Sequence, residues 1–308
     1  MALANSIFTS LHDIQTTRFS QLASSAIIIF DHLITLDGEV ELIWKSSWSM
    51  GKVFFVINRY YTLLSVIVNN YALFSPTLTD AVSLRFFHWQ GWTGLIACMI
   101  AEVILQMRLY ALYFLNKKVL ALMVATFIIS SASSAAIMAT VLRGITATAH
   151  PLPGTTFCVP IGVPSYFFAF WLPIILFESL LCGLALFRGI QTFRASGSVF
   201  QSGKHLVAIL IRDSALYFLM MFATYFTNML VWASASTNFL EIPIAFSVAF
   251  SCCLGNRMIF NVREIHREMK ESRRTEDSIN HQARQTRSSS FSPAEPLSTI
   301  EMGQLRAD

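Results

Sequence analysis

Four ionisable residues sit where lipid should be. Asp31, Arg59, Glu102 and Glu178 each fall well inside a long apolar run of this 308-residue chain. Counted from the ends of those runs at about 1.5 Å per residue, each lies roughly 16–22 Å deep, so the four share one layer. A charge near the middle of a bilayer costs about 2.5–3.5 kcal/mol on insertion scales. The four are therefore expected to face inward and to meet. Three acids then share one guanidinium. The planar fork of Arg59 can hold one carboxylate or bridge two, which leaves at least one acid over. Glu102 or Glu178 as the leftover group predicts exchange of a proton or binding of a cation. The simpler alternative is a static polar clamp between helices. Gln106, one helical turn beyond Glu102, extends the same face.

The elements that must position these groups are apolar helices. In the third run, Gly91, Gly94, Cys98, Glu102, Gln106 and Tyr110 recur every three or four residues. Small and polar residues on one stripe let neighbouring helices approach and hydrogen-bond. The run from Ser130 to Ala136 is all small, and Ser247, Ser251 and Gly255 make another such stripe. Pro173 is expected to bend the fifth helix just above Glu178.

Seven apolar runs are visible, near 19–36, 50–73, 88–114, 119–142, 163–187, 208–235 and 239–261. The composition agrees, with 54% hydrophobic and 13% charged residues, where a soluble chain carries about 25% charged. A span needs about 20 residues. The first run is short and carries Ser20, Gln21, Ser24, Ser25, Asp31 and His32, so six spans with this run lying on the inner face is the alternative. The fold expected is all-α, an integral membrane bundle of about seven helices. Lys and Arg set its orientation. With the N-terminus outside, the outer segments hold Arg18, Arg85 and Arg143. The inner ones hold Lys45, Lys52, Arg108, Lys117, Lys118, Arg188, Arg194, Lys204, Arg212 and the basic tail from Arg257. That bias predicts a cytoplasmic C-terminus.

The expected organisation is an extracytoplasmic segment over 1–18, a seven-helix domain over 19–262 and a cytoplasmic tail over 263–308. Residues 38–49 place Val40, Ile43 and Trp44 at helical spacing against Glu39, Glu41 and Lys45, which predicts a helix on the inner surface. Residues 260–272 place Val262, Ile265 and Met269 on one face of a basic interfacial helix. From about 273 the chain is polar and serine-rich, which predicts disorder. Ser288, Ser290 and Ser292 there follow Arg-rich or precede Pro-containing sequence and are candidate phosphorylation sites.

Several classes are disfavoured. No H-E-x-x-H, G-x-S-x-G or P-loop occurs, so neither an enzyme nor a cofactor is expected. The five cysteines form no C-x-x-C. Four lie in apolar runs and Cys158 in a loop, which reads as buried free thiols and no metal. No basic face with interleaved aromatics suggests nucleic acid. No basic segment followed by an apolar core opens the chain, so the first span is expected to direct insertion.

Residues 27–60 carry a recognisable pattern: Asp31-His32-Leu33-Ile34-Thr35-Leu36, then Glu39-Val40 and Ile43-Trp44, then Trp48-Ser49-Met50-Gly51-Lys52, then Asn58-Arg59-Tyr60. This resembles the domain-of-unknown-function 6533 family of fungal membrane proteins. Gln106-Met107-Arg108-Leu109-Tyr110, Phe177-Glu178 and Asn256-Arg257-Met258-Ile259-Phe260-Asn261 extend the resemblance. It implies a multi-spanning protein and no particular activity. Asn58-Arg59-Tyr60 differs from the D-R-Y triplet of G-protein-coupled receptors in lying inside the second run.

Three functions fit these features. A receptor-like sensor is suggested by seven spans, basic inner loops and a modifiable tail. It would take a small-molecule ligand or cation and a cytoplasmic signalling partner. A transporter or ion pathway is suggested by the acidic layer around Arg59, and a structural scaffold by charges that only fix helix register. The lipid bilayer is the one partner common to all three. The plasma membrane is the default location and the endoplasmic reticulum the alternative.

Overall fold

The computed structural model describes residues 2–75, 78–150, 156–195, 202–234 and 239–289. Helix follows helix through nearly all of it. α1 runs Ala2–Ile34, and after a break at Thr35 the chain continues as a short α2 (Leu36–Gly38) and a π-helical turn (Glu39–Trp44). α3 spans Met50–Phe74, α4 Asp80–Leu112, α5 Lys117–Gly144, α6 Trp171–Ala195, α7 Ser202–Ser234 and α8 Glu241–Ser289. Two short strands, β1 (Thr146–Thr148) and β2 (Val159–Ile161), pair antiparallel between α5 and α6. Six of the helices are long and apolar enough to cross a membrane. The bent pair Leu11–Ile34 and Leu36–Trp44, with 51° between its arms, brings the number to seven if it counts as one span. The protein is a multi-pass membrane protein.

Local chemistry sets the helix starts. The side chains of Ser49, Thr79 and Asn116 accept from Lys52 N, Val82 N and Lys118 N, satisfying donors that a helix start leaves open. The Lys52 ammonium donates to Trp44 O at 3.2 Å and Ser46 O at 3.0 Å, and so closes the carbonyl end of the π turn. The bundle has two ends. The hairpin end holds β1, β2 and the first turns of α4 and α8. There Asp80 Oδ1 accepts from Ala149 N at 2.7 Å, and Arg18 of α1 donates to Thr156 O at 2.7 Å. The basic end holds Lys52, the start of α5 and Arg188, whose Nε donates to Leu112 O at 3.3 Å.

α6 pairs with α5 and α7, and α4 with α3, α5 and α6. Between them lies an aromatic core. Phe167 and Trp232 approach to 4.2 Å between ring centroids, Trp171 and Trp232 to 5.3 Å, and Trp171 stacks on Tyr225 at 5.7 Å. Large apolar side chains such as Leu64, Ile67, Ile129 and Leu176 point outward, as lipid permits and water does not. All five cysteines are free and buried.

Three features differ from the sequence pattern. Pro173 falls at the start of a helix rather than in its interior. A 3-10 helix over Ser165–Phe170 leads into α6, which begins at Trp171. Pro173 therefore lies in the first turn of α6, where its missing N–H interrupts no bond. The segment 38–49 is not a surface helix of ordinary pitch, because its π turn buries Glu39 and Ile43 completely. Finally, helix extends through residues expected to be disordered. The bundle unit ends at Asn261 and a second unit begins at Val262. That second unit is helix as far as Ser289, exposed over 266–282. Arg267 pairs with Glu271 at 3.1 Å, and straight-chain charged residues at such spacing favour helix. Ser288 lies in the last turn of α8, while Ser290 and Ser292 lie outside the described residues.

Candidate functional site

The buried ionisable residues form two separate groups. In the first, near the basic end, Arg59 of α3 meets Glu39 of the π turn. Arg59 Nε lies 2.7 Å from Glu39 Oε2, with the two side chains 1% and 0% exposed. That contact lies off the N–H axis, so it is an ion pair rather than a hydrogen bond. Arg59 spends its other donors on Thr35 Oγ1 and His32 O, both at 2.9 Å, at the break below α1. Glu39 Oε1 accepts from Tyr60 OH at 2.7 Å and from Trp44 Nε1 at 3.0 Å. The π pitch makes the Trp44 bond available by bringing residues five apart onto one face.

Asp31 does not join Arg59. Its Oδ1 accepts from Arg257 Nε of α8 at 2.8 Å. Beside it, Asn58 Nδ2 donates to Asn256 Oδ1 at 3.0 Å and Cys252 O at 3.2 Å. Gly255 permits this approach, since a Cβ there would lie 3.2 Å from Asn58 Nδ2. The first group thus fastens α1, the π turn, α3 and α8 to one another.

The second group lies in the α4, α6, α7 part of the core. Glu102 and Glu178 are close enough to act on one another electrostatically, and both act on Tyr225 and Cys98. Neither forms an ion pair among the described residues. One oxygen of Glu102, both of Glu178, Gln106 Nε2 and the Tyr225 hydroxyl have no hydrogen-bond partner there. Tertiary placement therefore divides the four groups expected in one layer. Arg59 and Asp31 go to separate partners in the fastening group, and Glu102 and Glu178 go to the core, where Gln106 is also buried.

Above the second group, toward the hairpin end, is a cavity of about 100 Å³. Its walls are Leu95, Met138, Leu142, Phe167, Trp171 and Trp232. Gly94 of α4 leaves room on one side, Gly91 lets α4 pack closely on Met138 and Leu142, and Cys98 and Ser251 line the cavity as well. Glu241, the first residue of α8, also lines it. That side chain is 9% exposed, and neither carboxylate oxygen has a hydrogen-bond partner among the described residues.

Sequence reasoning missed Glu39, Arg257, Tyr225 and Glu241. Glu39 was hidden because the pattern groups it with Glu41 and Lys45 as surface charge, although at i, i+4 it shares a face with Ile43, and the structure buries both. Arg257 read as the start of the basic tail, yet its long side chain reaches back to Asp31. Glu241 stood at a helix start, where an acid is ordinary. The signal available there was Pro243 two residues on, which removes an N–H from the turn that Glu241 opens.

A bundle of spanning helices with buried polar clusters defines the class, a multi-pass membrane protein. Within it, residues 19–64 match the model of a family of unknown function (DUF6533). The matched stretch contains Asp31, Glu39, Lys52, Asn58, Arg59 and Tyr60, most of the fastening group. No curated protein matches the chain.

Proposed function

We propose that the protein is a receptor-like sensor that takes a small, largely apolar molecule into the cavity between α4, α5, α7 and α8. The cavity carries this reading. It is apolar, walled by aromatic rings and set between helices, as small-molecule sites commonly are. Its deep side abuts the Glu102–Glu178–Tyr225 group, and the bundle's other end is tied by Arg59, Glu39 and Asn58. A pocket backed by polar groups without partners can couple occupancy to helix position, because a ligand that shifts α7 or α8 changes what those groups face. The excess of Lys and Arg at the basic end supports an outward-facing hairpin end and a cytoplasmic C-terminus. Labelling of an N-terminal tag on intact cells tests that orientation and residence in the plasma membrane together.

Native mass spectrometry of protein released from lipid nanodiscs tests the sensor reading. A defined small mass retained by the wild type and lost in Gly94→Leu supports it. Gly94 is a suitable place to fill the space, since a Cβ there meets nothing within 4 Å. A second reading, a proton or cation pathway, is favoured by the unpartnered oxygens of Glu102 and Glu178. It predicts pH-driven flux into proteoliposomes that disappears in Glu178→Gln. A scaffold predicts neither retained mass nor flux.

A further inference from the structure

We infer that the ligand of this cavity carries a protonated amine, and that Glu241 is its counter-ion. The inference rests on the sensor reading above and names the chemical class of what that cavity holds. Three observations converge. Glu241 is nine-tenths buried and lines a wall that is mostly apolar, with Gln90, Ser247 and Ser251 as its neutral polar members. Both of its oxygens are without a hydrogen-bond partner among the described residues. The rings beside it are Phe167, Phe170, Trp171 and Trp232, packed on one another.

The physical argument is one of compensation. A buried carboxylate without a partner is costly, and buried charges are normally paired. Among the described residues, no lysine or arginine lines this cavity. Glu241 opens α8, where the helix dipole favours negative charge, and a cationic ligand beside it would favour that charge further. Both oxygens are covered in the structure, so an incoming N–H donor with positive charge would reach them on rotation of the Glu241 side chain into the cavity. Aromatic faces attract cations through their quadrupoles. The Trp232 indole N–H is already committed to Leu240 O at 3.1 Å, so what that ring offers a ligand is its face. Carboxylate plus aromatic walls thus select a ring- or alkyl-bearing monocation with N–H donors over a neutral molecule of the same shape. An anion would meet Glu241 with like charge and no cation to offset it.

The test uses two fluorinated probes of nearly equal size, 4-fluorobenzylamine and 4-fluorobenzyl alcohol. Fluorine NMR follows their binding to full-length protein in phosphatidylcholine nanodiscs, with empty nanodiscs subtracting partition into lipid. The expected result is binding of both probes, the amine at least about tenfold tighter, the lower end of what a hydrogen bond to a charged group contributes. Gly94→Leu should remove both. Glu241→Gln should keep the alcohol at its wild-type affinity and bring the amine to within about threefold of it. Equal binding of the two probes to wild type, abolished by Gly94→Leu, overturns the amine assignment while leaving the cavity a binding site. An amine preference that survives Glu241→Gln also overturns it, because the counter-ion is then another group. No binding, or binding indifferent to Gly94→Leu, overturns the cavity reading and this inference with it. The wild-type comparison decides alone if Glu241→Gln does not fold.

Discussion

Replacing Arg59 with Met should be among the most damaging single changes in the bundle. The magnitude follows from burial. Arg59 and Glu39 are 1% and 0% exposed and lie 2.7 Å apart. Removing one partner of a buried pair leaves an uncompensated charge and costs about 3–5 kcal/mol. Glu39 would keep two donors, Tyr60 OH and Trp44 Nε1, which places Arg59→Met near the lower end, about 3 kcal/mol. Glu39→Gln strands the guanidinium with Thr35 Oγ1 and His32 O as neutral acceptors, and its cost should be similar. The double variant removes both charges at once and should therefore cost less than the sum by about 1–3 kcal/mol. Asp31→Asn provides the internal contrast. Its partner Arg257 is 50% exposed, so solvent screens the pair and the loss should be about 0–1 kcal/mol. Reversible unfolding of the purified protein by sodium dodecyl sulfate in mixed micelles measures all four. Single variants at Arg59 and Glu39 that each cost under about 1 kcal/mol, or a strictly additive double variant, would refute the claim that this pair is a desolvated fastening.

Three further outcomes are expected. Gly94→Ala should stabilise the protein by about 0.5–1 kcal/mol, as glycine in a helix interior is destabilising relative to alanine. Gly255→Ala should instead destabilise it by at least about one hydrogen bond, 0.5–1.5 kcal/mol, by pressing on Asn58 Nδ2 at 3.2 Å; thermal melting in detergent checks the opposite signs. Cys158 should alkylate slowly at neutral pH. Burial pushes its thiol above the ordinary value, Ser83 lowers it in part and the Glu241 carboxylate raises it. The thiolate is the reactive form, so the rate should climb about tenfold per pH unit until the raised value is reached. Peptide mapping of maleimide adducts that finds Cys158 labelled as fast at pH 7 as a free thiol would contradict this. Lys52→Met should uncap Trp44 O and Ser46 O, costing about 1–3 kcal/mol, and speed amide exchange across 39–46. Unchanged exchange there would mean that the ammonium does not hold the π turn.

The membrane bundle was legible because lipid imposes a crude rule, long apolar runs with charge at their ends. The seven runs correspond to six spanning helices and the bent pair for that reason. The inward stripe of α4 was legible too, since Cys98, Glu102 and Gln106 recur with the period of an ordinary helix and are all buried. Pairing was not legible. Depth along a helix is one coordinate, and counting along the apolar runs puts Asp31, Arg59, Glu102 and Glu178 at a similar value of it. Which of them meet depends on helix rotation and on neighbours, and the sequence pattern carries neither. The π turn shows the same limit at short range. Glu39, which the pattern groups with Glu41 and Lys45 as surface charge, lies instead beside Arg59, and that changes the answer to which acid the guanidinium holds. The aromatic cavity was invisible for a further reason. Its walls come from five helices and the hairpin, so no local spacing announces it.

The family match and the proposed site fall on different parts of the molecule. The matched residues 19–64 supply the π turn, Arg59, Asn58 and Tyr60, which is to say the fastening near the basic end. None of the residues lining the aromatic-walled cavity belongs to that stretch. The match therefore bears on how α1, α3 and α8 are held together and is silent on what the cavity takes. A ligand for this protein has to be sought from the chemistry of Glu241, the Trp171 and Trp232 rings and the space beside Gly94. If the two ends communicate, the route open to them is α8, which carries Glu241 and Ser251 at the cavity and Asn256 and Arg257 at the fastening. Loosening the fastening with Asp31→Asn, which should leave the bundle folded, ought then to change probe affinity at a cavity that Asp31 does not line. Unchanged probe affinity in that variant would mean that the two ends act independently.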